Sequence, residues 1–493
     1  MATYLSERGQ VVRDADFIDS PTHVGAASLK MASSRLVLSL TLLGLCAGCA
    51  AGPDYRAPSA SELKVPQQFS TPVAVSPQAD LARWWRAFDD PALTALVERG
   101  LAANLDVDRA GARLRQARAS LAAARGGLLP SLGASARGSA TEDRTSYQAG
   151  FDAAYEVDVF GGVRRSVEAA RASAQGAEAS LHSVQLSIAA EIALNYLDAR
   201  RAQTRLRIAR ESLAYLDDTV EIVGWRVQAG LVGSRDLEQA RQLRAQTAAG
   251  VPTQQATYAA AANRLAVLLG EPPGAVEALL VPPTASPAAP AVFPAAIPAE
   301  VVRRRPDVAL AERTLAAETA RIGVEQAQLY PALALSGSFA GSGGSLSAAA
   351  DNAVGSLVAA LTAPIFRGGR IRAAVEGQRA STAAALSSYR LTVLTALEDV
   401  ENALVAVDAA ERRETSLVAA DAAARNSADL ARLQYRTGLT DFQSLLESER
   451  TLLSSQDSLA SARADRAVAA VQLYKALGGG WQAAPPPSSI TAP

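Results

Sequence analysis

The sequence is poor in the side chains on which most enzymes depend. Its 493 residues include only two histidines and two cysteines, and aromatic residues make up 5% of the chain. This scarcity disfavours histidine- or cysteine-based metal sites and a catalytic triad that needs histidine. Adjacent acids such as Asp217 and Asp218 could serve a carboxylate-based hydrolase, but neighbours on a helix face different directions. We therefore expect no enzyme activity, catalytic residue, cofactor or bound metal.

The chain also lacks an excess of either charge. It has 48 lysines and arginines against 49 acids, a formal net charge of −1, and no basic block. This balance excludes a general nucleic-acid binder. Alanine, leucine, arginine and glutamate are abundant instead, which is typical of long helices that pack closely.

An apolar run at residues 36–49 follows Arg35. It is too short to span a bilayer comfortably and is typical of a secretory signal. Translation from Met31 would give a conventional signal, so residues 1–48 form the expected signal region, with Met31 as its true start. The Ala47-Gly48-Cys49 ending resembles a bacterial lipobox, in which Cys49 is acylated, although Cys46 stands where leucine is commonest. Plain signal cleavage with two incidental cysteines is the alternative.

Proline placement divides the remainder of the chain. Proline is absent between Pro130 and Pro252 and between Pro364 and Pro485, but eight prolines fall within residues 272–298. This distribution predicts a lipidated N-terminal segment at 49–90, a first repeat at 91–270, a stiff extended linker at 271–298, a second repeat at 299–480 and a disordered tail at 481–493.

The two halves resemble each other. Asn104-Leu-Asp-Val matches Arg305-Pro-Asp-Val at an offset of 201, and Gln228-Ala-Gly-Leu matches Arg436-Thr-Gly-Leu at an offset of 208. Between them, Gly161-Gly162 matches Gly368-Gly369 at an offset of 207. Anchors that keep one order while the offset drifts so little indicate a tandem duplication.

Each half predicts a helix, two strands, a very long helix, a turn and another long helix. Residues 164–229 and 370–437 contain no helix breaker, and each would span on the order of 100 Å. Leucine and valine at coiled-coil spacing, for example from Leu213 to Val227, predict pairing between such helices. The glycine pairs lie at strand-to-helix junctions, where Gly161, Gly162, Gly368 and Gly369 would permit a sharp reversal, and Gly230 and Gly438 would end the long helices at the far tip.

Strands are predicted at about 131–140, 151–159, 332–340 and 354–365. Phe151 to Val159 alternates apolar and acidic residues, which fits a lipid-facing barrel strand and a half-buried soluble strand equally well. If the strands do lie in a membrane, four cannot close a barrel. Two chains would give eight strands and a filled interior, and three would give twelve and an open one.

Several motifs carry a family resemblance. They include Gly52-Pro-Asp-Tyr-Arg-Ala-Pro58, Arg83-Trp-Trp-Arg-Ala-Phe-Asp-Asp-Pro-Ala-Leu93, Pro364-Ile-Phe-Arg-Gly-Gly-Arg370 and Tyr435-Arg-Thr-Gly-Leu-Thr-Asp-Phe442. The chain resembles the TolC-like outer-membrane efflux proteins, specifically the NodT/OprM-type lipoproteins of tripartite, RND-type pumps. The resemblance implies a mainly α-helical homotrimer with a 12-stranded membrane β-barrel and a long periplasmic α-helical barrel. It also implies a periplasmic adaptor, an inner-membrane transporter and outer-membrane lipid as partners.

The resemblance further implies where the tube closes. Carried over by position, the aperture acid of the family matches Glu447, its inward tyrosine matches Tyr435, and a constricting apolar position matches Gln443, a departure from the family pattern. Asp236 would supply a further acid. Because like carboxylates at the closing point would repel one another, something must hold them: Arg226 and Arg436, pairing across helices, or a bound cation. The alternative is that Glu447 lies on the outer, solvated face of its helix.

The expected function is a passive, gated exit duct for drugs or other xenobiotics. A periplasmic coiled-coil adaptor or structural lipoprotein is the alternative, since such proteins are also lipidated and rich in long helices. The duplicated strand pairs disfavour it.

Overall fold

The structure, a computed structural model, describes residues 50–70, 75–76, 80–281, 286–291, 293–294 and 298–481. The signal region with Met31 and Cys46, the first residue of the lipidated segment, Cys49, and all but the first residue of the predicted tail lie outside the described residues.

Two copies of one element order follow each other in the chain, and the second has one additional short helix, Leu346–Asp351, between its two strands. The first copy contains α1 (Pro91–Ala103), α2 (Leu105–Gly126), β1 (Ser131–Thr141), β2 (Arg144–Val157), α3 (Gly162–Gln228) and α4 (Ser234–Leu268). The second contains α5 (Pro298–Arg304), α6 (Pro306–Ala327), β3 (Ala332–Gly343), β4 (Val354–Thr362), α7 (Arg370–Thr437) and α8 (Phe442–Ala476). Helices α3 and α7 have 67 and 68 residues, and α4 and α8 have 35 each. The predicted duplication is confirmed.

Equivalent contacts hold the two copies in the same shape. Asn104 ends α1 and caps α2, since its side-chain oxygen accepts from the backbone N–H of Asp106 at 2.8 Å. Its amide also donates to the carbonyl oxygen of Leu268 at 2.8 Å. At the equivalent place in the second copy, the Arg305 guanidinium donates to the carbonyl oxygen of Ala476 at 3.2 Å. The junction between the first two helices of each copy is thereby fastened to the end of its own last helix.

The long helices pack side by side to form one wall. Toward the strands, α3 packs against α2 and α6, and α7 packs against α6. Toward the other end, α3 packs against α4 and α8, and α7 packs against α8. The predicted coiled-coil seam is confirmed, because Leu216 and Val223 are buried and Val220 and Val227 pack beside them. None of the helices in the described part of the chain combines the length and the apolar character needed to cross a bilayer.

The largest hydrophobic cluster lies midway along the wall. The short 3₁₀ helix Trp84–Phe88 inserts there, and Trp84 stacks on Tyr474 with ring centroids 5.5 Å apart. The proline-rich segment contributes to this cluster through Leu280 and Phe293. It is therefore not a uniformly extended linker: Glu277–Leu280 forms one helical turn, and α5 begins at Pro298. Apolar side chains between the prolines explain the difference, since their burial stabilises a folded path.

The four strands form one antiparallel sheet in the order β1-β2-β3-β4. Directly opposed residues share a face, so Phe151 lies beside Phe339, while Asp152 lies beside Ser338 on the opposite face. Ser338 is hydrogen-bonded to Ser356 at 2.8 Å on that polar face. Strands β1 and β4 are the edges, and every residue of both is exposed. Within this chain, those edges leave one row of backbone donors and acceptors each without a strand partner.

Candidate functional site

Glycines with positive φ form both ends of the long helices. Gly230 and Gly438, with φ of 69° and 78°, end α3 and α7 at the tips of the two hairpins. At the opposite end, Gly161, Gly368 and Gly369 have φ of 79°, 57° and 79° before α3 and α7 begin. These conformations strain any residue with a Cβ.

Gly162 serves a different purpose from the one expected. It is the first residue of α3 and is not among the glycines with positive φ. A Cβ at this position would lie 3.0 Å from the Cβ of Ala327 on α6. Gly162 therefore permits close packing between the start of α3 and the end of α6, and the reversal itself depends on Gly161.

Arg226 joins the two hairpins near their tips. From the last turn of α3, its guanidinium donates to the carbonyl oxygen of Tyr435 at 2.9 Å, and to that of Arg436 at 3.4 Å. It also lies 4.3 Å from the centre of the Tyr435 ring. The last carbonyl groups of a helix carry partial negative charge, so a guanidinium there stabilises the end of α7.

Tyr435 is buried in the cluster at the tip. Its ring packs edge-on against Phe442, with centroids 5.9 Å apart, among apolar side chains from α3, α4 and α8. Burial raises the pKa of the Tyr435 hydroxyl, the nearby charge of Arg226 opposes this rise, and the charge of Asp236 adds to it. The structure thus brings Tyr435, Arg226 and Asp236 together, one from each of three helices.

Glu447 and Gln443 lie elsewhere on α8. Both are exposed, and their spacing of four residues puts them on one face of the helix, away from the buried Leu445 and Leu446. Within the described residues, the contacts of Arg226 are with the end of α7 and not with Glu447. In a single chain, therefore, the expected pairing of Arg226 with this acid does not form. Arg436 is exposed.

The buried acid near the tip is Glu449, which the sequence did not single out. Its carboxylate accepts two hydrogen bonds from Arg432 on α7, at 2.5 Å and 2.8 Å. Arg432 also donates to Asp429 at 3.0 Å and lies 4.3 Å from the ring centre of Tyr215 on α3. This group ties α7 to α8 and both to α3. The leucine stripe at Leu445 and Leu452 could have revealed Glu449, because it falls on the same helical face.

Acids also begin both return helices. Asp441 is the N-cap of α8 and accepts a hydrogen bond from the backbone N–H of Ser444 at 2.8 Å. Hydrogen bonds from Ser444 lower the pKa of Asp441. Asp236 lies in the first turn of α4, where the helix dipole favours a negative charge. Each tip is thus an ordered turn with an acid at the start of its second helix.

What this arrangement can do chemically is limited to binding and electrostatics. Exposed carboxylate and amide groups on one face of α8 can attract cations and hold water. Among the residues that the structure describes, no three His, Cys, Asp or Glu side chains lie close enough together to hold a metal ion.

Paired long helices that end in an antiparallel sheet at one end and in glycine turns at the other define an outer-membrane efflux channel. The model of the family described as "Outer membrane efflux protein" matches residues 96–271 and 297–479. The chain belongs to this family.

Relatives and solved structures agree. Nodulation protein T of Rhizobium leguminosarum bv. viciae is 34% identical over 470 residues, covering 92% of this chain and 95% of that protein. The pyoverdine export outer membrane protein OpmQ of Pseudomonas aeruginosa is 34% identical over 479 residues, covering 92% of this chain and 98% of that protein. The solved outer-membrane channel OprN superimposes with a TM-score of 0.82 at 35% identity, covering 88% of this chain and all of that one. The predicted TolC-like fold is confirmed.

Proposed function

We propose that this channel is the passive, gated exit duct of a tripartite efflux pump. A periplasmic adaptor and an inner-membrane transporter deliver the cargo, and the channel conducts it across the outer membrane. The observation that carries the proposal is the pair of open edges on a sheet whose two faces differ in polarity. Drugs or other xenobiotics are the proposed cargo class.

Three copies of the chain make one duct. Each copy has four strands, and the exposed edges β1 and β4 have complementary backbone groups that a neighbouring copy can pair. An open edge is not tolerated in a lipid environment, since each unpaired backbone group there costs several kcal/mol. Twelve strands leave a water-filled interior, with the face of Asp152 inside and the face of Phe151 toward lipid.

Native mass spectrometry of the detergent-solubilised protein tests the copy number. We expect a particle of three chains, and graded chemical cross-linking should yield dimers and then trimers with no larger species. A particle of one or two chains would refute the twelve-stranded duct without affecting the family assignment.

Exposed apolar residues at the tips support docking of an adaptor. Leu231 and Leu439 directly follow the tip glycines and are 73% and 79% exposed. They occupy equivalent positions in the two repeats, so a trimer presents six such leucines in a ring. Exposed leucines grouped at one end of a molecule mark a protein interaction site.

Export assays in cells test both the duct and this surface. In a strain deleted for the gene, a dye that the pump exports should accumulate, and the wild-type gene should restore export. Leu231→Ser with Leu439→Ser should fail to restore it while still forming trimers in the outer membrane. Unchanged dye accumulation after deletion, with the adaptor and transporter genes present, would contradict the pump assignment.

The proposed gate lies at the tips. Glu447 and Gln443 face the closing point, and the buried Tyr435 supports it from within the tip cluster, with Asp236, Arg226 and Arg436 nearby. Three equivalent carboxylates about 4 Å apart would repel by roughly 1 kcal/mol or more per pair, so a cation or a neighbouring arginine has to stabilise the closed state.

Acylation at Cys49 anchors the duct to outer-membrane lipid. Cys49→Ser should abolish metabolic labelling with palmitate and slow signal processing, whereas Cys46→Ser should change neither. Palmitate label that persists on Cys49→Ser would refute the lipid anchor.

A further inference from the structure

Arg165, near the start of α3, is one of the few buried arginines, and no role in the duct explains it. Its side chain is only 6% exposed. The guanidinium donates from Nε to the carbonyl oxygen of Ala51 at 3.0 Å and from Nη2 to that of Gly52 at 3.2 Å. Nη2 also donates to the Asp54 carboxylate at 2.7 Å. The planar fork of arginine suits such multiple recognition, which the single ammonium group of lysine cannot reproduce.

Arg165 is itself held in place from its own helix. Its Nη1 donates to the Glu168 carboxylate, one turn along α3, at 2.7 Å. The three remaining contacts all go to the segment Ala51–Asp54, which lies more than a hundred residues away in sequence. Because the Asp54 side chain is 86% exposed, the two backbone carbonyl groups contribute the more specific part of this recognition.

A close crossing of two glycines fixes the same segment from the other side. Gly52 has a φ of 91°, and a Cβ there would lie 2.4 Å from the Cα of Gly323 on α6. A Cβ on Gly323 would lie 2.5 Å from the carbonyl oxygen of Ala51 and 2.7 Å from Cγ of Arg165. The segment therefore passes over α6 in direct backbone contact, in a space that admits only glycine.

The contacts that Arg165 and Gly323 make with Ala51–Asp54 are called the clamp here. The clamp lies at the end of the helices that carries the sheet. The backbone N–H of Ala51 donates to the carbonyl oxygen of Phe160 at 2.8 Å, just after β2 ends at Val157. Residue 49 is two residues before Ala51, and two residues of chain reach at most about 7 Å. A group attached to residue 49 is thus tethered by a short length of chain to Ala51 at the strand-to-helix junction.

We propose that Arg165 is the positioning residue of the lipid anchor. It holds Ala51–Asp54 in place, so that acyl chains on Cys49 enter the lipid beside the rim of the sheet. The proposal rests on the proposed acylation of Cys49. The remainder of the N-terminal segment is held separately: Tyr55 donates to Glu312 at 3.2 Å, and Leu63 is buried among side chains of α5, α6 and α7. Loss of the clamp should therefore free only the first residues of the mature chain.

Limited trypsin digestion of the full-length protein in detergent solution tests the clamp. Arg56 and Lys64 are consecutive tryptic sites, one just after the clamp and one beside the buried Leu63. Arg165→Ala should raise the rate of cleavage after Arg56 about tenfold, since cleavage follows the local opening that charged hydrogen bonds oppose. Cleavage after Lys64 and the thermal midpoint should stay unchanged, and Arg165→Lys should give an intermediate rate.

Arg171→Ala is the matched control, because Arg171 is an exposed arginine on the same helix. It should leave cleavage after Arg56 at the wild-type rate. Gly323→Ala should reproduce the effect of Arg165→Ala without removing a charge. Unchanged cleavage in both Arg165→Ala and Gly323→Ala, or equal acceleration at Arg56 and Lys64, would overturn the proposal that Arg165 holds Ala51–Asp54 in place.

The released peptide separates this proposal from the acylation on which it rests. Mass spectrometry of the fragment that ends at Arg56 should show an acylated Cys49 at its N-terminus. An unmodified cysteine there would refute the anchor, and with it the role of Arg165 in positioning lipid, even where the cleavage rates reveal a clamp. An acylated fragment with cleavage rates independent of Arg165 would refute the positioning role of Arg165 and leave the acylation of Cys49 intact.

Discussion

The guanidinium of Arg226 donates to the carbonyl oxygen of Tyr435 at 2.9 Å and covers its ring at 4.3 Å. Arg226 belongs to the first repeat and Tyr435 to the second, so this contact crosses between the two hairpins near their tips. If the duct opens, as proposed, by separation of the hairpins at this end, the contact opposes opening.

Arg226→Ala should favour the open state. Loss of a charged hydrogen bond and a cation–π contact removes about 2 kcal/mol of stabilisation from the closed tip. Recordings of the purified protein in planar bilayers should show a higher mean conductance than the wild type. Arg436→Ala, which removes an exposed arginine from the same tip, is the comparison and should have the smaller effect. A larger effect for Arg436→Ala would mean that the main closing contact lies between chains.

Glu447 and Glu449 lie on opposite faces of α8 and should behave differently. Glu449→Gln weakens the buried pair with Arg432 and should lower the free energy of unfolding by about 2 kcal/mol. Glu447→Gln should leave that free energy within about 0.5 kcal/mol of wild type, because the side chain is exposed. Circular dichroism during denaturation measures both.

In bilayer recordings, Glu447→Gln and not Glu449→Gln should have the larger effect. Glu447→Gln should change the conductance and its response to Mg²⁺, since it removes a charge from the proposed aperture. Glu376→Gln is the control, because Glu376 is an exposed acid near the start of α7, at the end nearer the sheet. It should leave the conductance and its response to Mg²⁺ at wild-type values. A Mg²⁺ response of Glu447→Gln that matches wild type would remove Glu447 from the gate.

Acid should weaken the junction at Arg305. Burial alone would raise the pKa of Asp307, but hydrogen bonds from Arg305 and its charge outweigh burial and hold this pKa below its ordinary value. A carboxyl group with a lowered folded-state pKa stabilises the fold above its unfolded pKa, near 3.9. This stability disappears as the pH falls through the lower folded-state value.

Asp307→Asn should therefore destabilise the protein at pH 7, by about 1 kcal/mol because the pair is partly exposed, and should flatten the loss of stability below pH 4. Asp106→Asn is the matched control, since Asp106 holds the equivalent position in the first repeat, where Asn104 replaces Arg305. Thermal melts between about pH 3 and pH 7 measure both. An acid dependence of Asp307→Asn equal to wild type would contradict this account.

Much of the fold could be predicted from the sequence. The expected helices 164–229 and 370–437 correspond to Gly162–Gln228 and Arg370–Thr437, because no proline interrupts either and glycines mark their ends. The helix break at Asn104 is also a local feature, since asparagine is a strong N-cap. These features depend on neighbours in the chain and are therefore visible in a single sequence.

Side-chain partners that are distant in sequence were not predictable in the same way. The sequence does not distinguish a surface arginine from a buried one. The roles of Arg165 and Arg432 therefore became visible only from their partners in the structure. Glu449 was missed because positional matching pointed to Glu447 two residues earlier, a shift that moves the carboxylate to another face of the helix.

Single-channel recording of the purified wild-type protein and of Arg226→Ala in planar bilayers tests the central claim most directly. We predict discrete current steps of one size class from both, with the variant open for the larger fraction of time. Currents from both proteins that cannot be distinguished from a protein-free bilayer would contradict the assignment of this chain as a gated duct.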